Sequence, residues 1–161
     1  MEHEGKGDYS DDWYTPKDIF ERLDLWFDLD PCSPGPHTWV PAERLYTKEN
    51  DGLNSPWHGS VFMNPPYAGR NGHVPWLKKF LDHGHGIAIV RAYTSSAWWH
   101  EHAVKAEYML FPNGKTKFVR PDGTVGCSPG SGVVLLGMGK DMGDAMKASG
   151  IGWFVDNRSE Q

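Results

Sequence analysis

Four consecutive residues, Asn64-Pro65-Pro66-Tyr67, combine hydrogen-bond acceptors, a rigid backbone and an aromatic ring. The Asn64 side-chain oxygen and the Pro65 carbonyl can each accept one N–H of a planar amino group, which orients and enriches its nitrogen lone pair. Two prolines fix the backbone, so these acceptors are preorganised, and Tyr67 offers a face on which a base can stack. The pattern indicates chemistry at an exocyclic nitrogen, although the same residues are also typical of a turn that ends a strand.

A second polar segment, Asp30-Pro31-Cys32, follows a short apolar run that reads as a strand. Ligands of open α/β sheets bind at the carboxyl ends of the strands. There, Asp30 can accept hydrogen bonds from an amino group or a ribose of a ligand. The alternative is a simple turn after the strand.

A third segment, Tyr14-Thr15-Pro16, begins a predicted helix, with Thr15 as a candidate cap. The N-terminus of a helix suits a carboxylate group of a ligand, or it is merely capped. Asp51, which precedes a glycine, is either a second acidic contact to a ligand or part of a turn.

A fourth segment places Phe118 beside Lys115 and Lys117, just after a predicted strand. An aromatic ring among cations suits a stacked base with phosphates nearby, whereas lysines also protect the edge strands of sheets. Other candidates for phosphate contacts are Arg70, Lys78, Lys79 and Arg120.

Charge is distributed unevenly along the 161 residues, whose formal net charge is −5. Residues 1–60 hold 5 Lys or Arg against 13 Asp or Glu, whereas residues 61–120 hold 8 against 3. The basic third contains the segment 64–67, which suggests an anionic partner there. Ordinary scatter of surface charge explains it equally well.

Composition excludes several classes of protein. No apolar run is long enough to span a membrane, and the polar, acidic start is not a secretory signal. The only two cysteines, Cys32 and Cys127, indicate reduced thiols and a cytoplasmic protein. The histidine pairs 83/85 and 100/102 lack cysteines at zinc-site spacing, so we predict no metal.

The elements that must position these segments follow from periodicity. Strands are predicted at 26–30, 44–47, 60–63, 86–90, 108–111, 132–136 and 153–155, and helices from residue 15, over 74–83, from 95 or 96 to about 106, and over 141–148. Strands that alternate with helices indicate an α/β fold around a largely parallel sheet. We expect residues 1–12 to form a flexible acidic leader and residues 13–161 a single domain.

The order of these segments along residues 13–139 resembles the S-adenosylmethionine-dependent DNA N6-adenine methyltransferases, and is most similar to their small phage-type, Dam-like family. The resemblance implies a Rossmann-like methyltransferase domain, with helices on both faces of a mostly parallel sheet and antiparallel C-terminal strands. It also implies a flipped adenine held by residues 64–67, with Phe118 on the other face of the base, in a DNA substrate. The cofactor residues that it implies are Tyr14, Thr15, Pro16, Asp30, Pro31, Cys32 and, more weakly, Asp51.

Two departures from the family pattern matter. The loop after Asp30-Pro31 has one glycine, at Gly35, where relatives are glycine-rich, and the chain has no room for a separate DNA-recognition domain. Sequence preference would then come from the loop 68–72 or from an oligomer. Alternatives are methylation of a protein glutamine, of RNA adenine or of cytosine N4, and a non-catalytic module that binds DNA or cofactor. The resemblance also suggests a role in protection from restriction, in a phage or its bacterial host.

Overall fold

The computed structural model describes residues 14–35, 38–67, 69, 71–120, 122–126 and 132–159. The predicted leader, residues 1–12, lies outside these ranges. Within them, no helix has both the length and the apolar character that crossing a bilayer requires.

The described residues contain four α-helices: α1 Lys17–Leu23, α2 Val74–His83, α3 Ala97–Glu101 and α4 Lys140–Ala148. All begin close to where periodicity and capping residues predict them, but α3 ends about five residues early and is followed by a 3-10 helix, Ala103–Lys105. The start of α1 corrects one expectation, because Pro16 is the N-cap and makes no side-chain capping bond. The Thr15 hydroxyl, predicted to cap this helix, instead accepts a hydrogen bond from the Asn64 side chain. The Thr15 hydroxyl thus makes a tertiary contact instead of the local capping bond that the sequence predicts.

In the part of the chain that the structure describes, one sheet is formed by seven strands: β1 Phe27–Asp30, β2 Ala42–Leu45, β3 Val61–Met63, β4 Gly86–Arg91, β5 Tyr108–Pro112, β6 Val133–Met138 and β7 Gly152–Asp156. Their spatial order is β2-β1-β3-β4-β6-β5-β7. All seven overlap the predicted strands, and β2 is shifted two residues towards the N-terminus. Val, Ile, Leu and Phe dominate the central strands because these strands are buried on both faces.

The expectation of a mostly parallel sheet is not confirmed, because the sheet is mixed. Pairs β1–β2, β1–β3 and β3–β4 are parallel, whereas β4–β6, β5–β6 and β5–β7 are antiparallel. Parallel neighbours need a crossover, usually a helix, and antiparallel neighbours do not. The described part of the segment between β5 and β6 contains no helix, and β6 inserts between β4 and β5 with its direction reversed.

Helices cover both faces of the sheet, as expected. On one face, α1 and α4 pack over Phe27, Phe62 and Leu135. On the other face, α2 and α3 pack over Leu29 and Leu136. The two faces alternate along each strand because successive side chains point to opposite sides.

The chain reverses its direction of travel across the sheet between β1 and β3. After β1 the chain moves outward to β2, and then it returns past β1 to form β3 on the other side. Parallel pairing puts the carboxyl ends of these strands at one edge. In open α/β sheets, ligands usually bind at such a switch point, which here lies between the ends of β1 and β3, at Asp30 and Asn64.

Candidate active site

Hydrogen bonds join three segments that are distant in sequence at this switch point. The Cys32 thiol donates to the main-chain carbonyl of Asn64 at 3.1 Å. The Asn64 side-chain nitrogen donates to the Thr15 hydroxyl at 3.2 Å. The start of α1, the end of β1 and the end of β3 thus meet in one place. A common site built from the segments around residues 15, 32 and 64 requires this meeting.

The segment after β3 is held on both sides. Pro65 is buried, while Asn64, Pro66 and Tyr67 are partly buried. The Tyr67 hydroxyl accepts the backbone N–H of Arg91 at 3.0 Å, which ties the segment to the end of β4. Burial raises the pKa of Tyr67 well above its usual value, so its hydroxyl stays protonated near neutral pH.

Asp30 is an acid buried at the end of β1, with 3% of its surface exposed. Its carboxylate accepts the Cys32 backbone N–H at 3.2 Å. Burial raises the pKa of Asp30 to about 7, and the Cys32 bond opposes that rise only in part. A buried carboxyl with this pKa is suited to a ligand that brings hydrogen-bond donors or positive charge.

Asp51 lies in an exposed turn that adjoins the end of β1. Its carboxylate accepts two hydrogen bonds from the Asn54 side chain, at 3.2 and 3.0 Å. The adjacent Gly52 lies so close to the backbone of β1's end that a Cβ there would be 1.9 Å from the Pro31 carbonyl oxygen. The turn therefore packs directly on the Asp30-Pro31 segment, although the Asp51 side chain is already engaged within it.

The segment with Phe118 is attached to the start of α1. Tyr14 and Val119 exchange two backbone hydrogen bonds, at 2.7 and 2.9 Å. The Tyr14 ring packs edge-on against Trp39 at 4.8 Å, and Phe118 lies partly buried against the core on the α1 side. Phe118 is therefore connected to Asn64 indirectly. Its neighbour Val119 pairs with Tyr14, and the next residue, Thr15, accepts a hydrogen bond from Asn64.

The predicted phosphate-binding cations have different environments. Lys78, Lys115, Lys117 and Arg120 are exposed, and Arg70 lies outside the described residues. Lys79, in contrast, is engaged within the protein. Its ammonium group donates to the carbonyls of Gly52, Leu53 and Ser55, and it lies 5.0 Å over the Trp57 ring. Lys79 therefore holds the turn after Asp51.

Sequence reasoning missed two residues that contact Tyr67. The Arg91 guanidinium lies 4.5 Å from the centre of the Tyr67 ring. The His73 ring also lies 4.5 Å from it, tilted by 33°, and packs edge-on against Trp98 at 4.3 Å. Neither residue belongs to a motif, and only the position of Arg91 at the end of an apolar run could have drawn attention to it.

His73 is 1% exposed, and among the described residues neither of its ring nitrogens has a hydrogen-bond partner. Burial and, to a smaller extent, the charge of Arg91 together lower the pKa of His73 to about 4. The imidazole is therefore neutral at physiological pH, and it serves as a packing surface for Tyr67.

Comparison with known proteins identifies one family. The model of the DNA N-6-adenine-methyltransferase (Dam) family matches residues 3–136, which include all the segments described above. No curated protein matches the chain, and neither does any solved structure. Because the family model spans most of its length, the chain belongs to the DNA N-6-adenine-methyltransferase (Dam) family and is a DNA adenine methyltransferase.

Proposed function

We propose that this chain methylates N6 of adenine at specific sites in DNA, with the target base turned out of the duplex and held by residues 64–67. The observation that carries the proposal is the junction of three segments through Cys32, Asn64 and Thr15. Cys32 thus links Asp30, our candidate for a cofactor contact, to Asn64, our candidate for the amino-group acceptor, at one edge of the sheet.

The residues at the switch point fit S-adenosylmethionine, which supplies the methyl group when bound. Asp30 is a buried carboxyl whose one side-chain hydrogen bond from the described residues comes from Cys32. A ribose hydroxyl or an ammonium group would give it the donors that a buried carboxylate requires. The other residues that would line this pocket are Tyr14, Thr15, Pro16, Pro31, Cys32 and, from the adjoining turn, Asp51.

Asn64 and Pro65 would bind the amino group of the base. The Asn64 amide nitrogen donates to Thr15, which directs the amide oxygen away from Thr15 as the acceptor. Together with the Pro65 carbonyl, that oxygen would accept the two N–H groups and direct the nitrogen lone pair towards the cofactor pocket. Pro66 limits the freedom of this backbone, so the geometry does not have to form during the reaction.

Aromatic rings would hold the base after it leaves the duplex. Extrusion of a base costs a few kcal/mol, and stacking on an aromatic side chain returns about 1–3 kcal/mol per base. Tyr67 and Phe118 are the rings that we assign to its two faces. The exposed cations Lys115 and Lys117, with Arg70, would contact the phosphates on either side.

The decisive experiment incubates the chain with radiolabelled S-adenosylmethionine and unmethylated DNA. We expect label in the DNA as N6-methyladenine, and sequencing of the modified bases should locate it at a defined short sequence. Parallel reactions with RNA and with a glutamine-containing protein test the other nitrogen substrates. Label in either of these but not in DNA would overturn the proposal, as would binding of the cofactor without any transfer.

A further inference from the structure

The ring assigned to stack the base is covered in this structure. Both the Arg91 guanidinium and the His73 imidazole lie 4.5 Å from the centre of the Tyr67 ring. Two planar groups at stacking distance leave little of the ring for a nucleobase. If Tyr67 is to stack a base, one of these groups has to move.

His73 is held in place by its surroundings. It is 1% exposed, and its ring contacts Trp98, which is itself 6% exposed. Moving the imidazole would open a void in a close-packed region, which is unfavourable. Arg91 is different, because its side chain is only partly buried. Among the described residues, its guanidinium makes one further contact, to the Tyr93 hydroxyl at 3.5 Å, which is the outer limit of a hydrogen bond.

The backbone of Arg91 is fixed while its side chain can move. Its N–H donates to Tyr67, and it pairs with Val133 across β4 and β6. A fixed backbone next to the ring keeps the guanidinium within reach of a nucleotide bound there. The side chain can thus exchange one partner for another without any change in the fold.

Arg91 also has no carboxylate partner among the residues that the structure describes, where the ion pairs are His85–Asp141, Lys140–Asp144 and Arg158–Asp156. A guanidinium is planar and delocalised, and it binds phosphate through two parallel hydrogen bonds. Arg91 ends β4 at the same edge of the sheet as Asn64, since β3 and β4 are parallel. An uncompensated positive charge therefore lies where the DNA backbone would arrive.

We propose that Arg91 is a substrate-binding residue with two positions. In the DNA-free chain its guanidinium stacks on Tyr67, and in the complex the target base takes that place while the guanidinium binds a phosphate of the same nucleotide. This rests on the proposed role of residues 64–67 in holding the base.

The test compares Arg91→Gln and Arg91→Lys with Lys105→Gln as a matched control. Lys105 is exposed and precedes β5 at the opposite edge of the sheet, so its loss removes one charge away from the site. The DNA is an oligonucleotide that carries the methylation site mapped for the wild-type chain. The measurements are the Kd for DNA at several salt concentrations, KM, kcat, the Kd for S-adenosylmethionine and the Tm.

For Arg91→Gln we expect the Kd and KM for DNA to rise about tenfold. The magnitude of the slope of log K for DNA binding against log salt should fall by about 0.9 if the lost phosphate contact is to duplex DNA. It should fall by about 0.7 if the DNA at that phosphate is effectively single-stranded. The kcat should stay within about twofold, and the cofactor Kd should not change. Arg91→Lys should keep the salt slope but lose part of the affinity, because an ammonium cannot bind phosphate with two parallel bonds. Lys105→Gln should match the wild type.

Three outcomes would overturn the inference: an unchanged salt slope in Arg91→Gln, an equal loss in Lys105→Gln, or weakened binding of S-adenosylmethionine with DNA binding intact. The last result would mean that Arg91 binds the cofactor carboxylate. If Arg91→Gln lowers the Tm, the test uses the salt slope of Arg91→Lys instead. A slope smaller in magnitude than that of the wild type would contradict the proposal. Failure of the proposed function looks different, since the wild-type chain itself would then not label DNA.

Discussion

Asn64 is the residue on which the proposed chemistry depends. Its main-chain carbonyl accepts the Cys32 thiol, and its side-chain nitrogen donates to Thr15. The backbone and the side chain are thus each fixed by a different segment. Such preorganisation is valuable because acceptors that are already oriented need no rearrangement as charge develops on the reacting nitrogen.

We expect Asn64→Ala to lower kcat by at least about 10²-fold, the usual effect of losing one preorganised hydrogen bond to a reacting group. The Kd for S-adenosylmethionine should change little. Asn157→Ala is the control, because that side chain donates to the carbonyls of Val104 and Ala106, away from the site. Wild-type turnover in Asn64→Ala would rule out the proposed role of Asn64.

The buried carboxyl of Asp30 leads us to predict how the free energy of unfolding depends on pH. Burial raises the pKa of Asp30 in the folded chain to about 7, against an ordinary value of 3.8. Between these values the native state holds a proton that the unfolded chain has lost, so the free energy of unfolding falls as pH rises from about 4 to 7. Asp30→Asn removes this dependence. At pH 8 it should be more stable than the wild type by up to about 4 kcal/mol, and the difference should vanish towards pH 4.

Urea unfolding of both proteins from pH 4 to 8.5 checks this. His73, whose pKa is lowered to about 4 by burial, contributes in the opposite direction but equally in both proteins. Asp24→Asn serves as the control, since this exposed residue ends α1 in a left-handed conformation that asparagine tolerates. A variant at Asp30 that is less stable than the wild type at pH 8 would mean that the carboxylate is ionised and paired.

At the scale of elements, the site is a meeting of strand ends with a turn and a helix start. The turn after the short 3-10 helix Lys48–Asn50 packs on the end of β1, and Lys79 of α2 holds it there through three carbonyls. Gly52 makes this close approach possible, because any side chain would collide with Pro31. The turn supports the Asp30-Pro31 segment, while the Thr15 segment contacts Asn64.

Gly52→Ala should therefore disturb the cofactor side of the site more than the fold. Its Cβ would lie 1.9 Å from the Pro31 carbonyl oxygen, so the turn and the Asp30 segment must separate. We expect a loss of about 1–3 kcal/mol in stability and weaker binding of S-adenosylmethionine, measured by denaturant unfolding and calorimetry. In Gly84→Ala, by contrast, the Cβ meets open space at a φ of +83°. That variant should lose about 1–2 kcal/mol with unchanged cofactor affinity. Equal cofactor affinity in both variants would contradict the role given to the turn.

At the scale of the whole molecule, one sheet connects two cores. Leu135 and Leu136 are adjacent on the central strand β6, both are fully buried, and they face opposite sides. Because every strand contributes to the same sheet, neither core can lose its packing without affecting the other. The segments around Asp30 and Asn64 depend on this, since each directly follows a buried strand of the sheet.

We expect Leu135→Ala and Leu136→Ala each to lower stability by about 2–5 kcal/mol and to leave a single unfolding transition. Val125→Ala, at a side chain that is 62% exposed, should stay within about 0.5 kcal/mol of the wild type. Circular dichroism and tryptophan fluorescence should report the same midpoint. Two separate transitions in either core variant would show that the faces fold independently.

The sequence alone predicted the elements well. Helix α2 has the bounds that its periodicity indicated, and all seven strands overlap the predicted ones. Local patterns predict local structure because apolar spacing and capping act over a few residues. The family was also recognisable from the order of short motifs, and the family model confirms it. The roles given to the individual site residues remain predictions.

Only the tertiary structure decided the partners of these elements. The position of β6 between β4 and β5 makes the sheet mixed, Thr15 contacts Asn64 instead of capping α1, and Lys79 holds a turn instead of facing solvent. Arg91 and His73 became part of the site only through their contacts with Tyr67. The sequence does not show that residues 15, 32, 64 and 91 meet, because no local pattern specifies which distant strand ends come together. Sequence therefore specified what each segment is, and the packing of the sheet specified which segments act together.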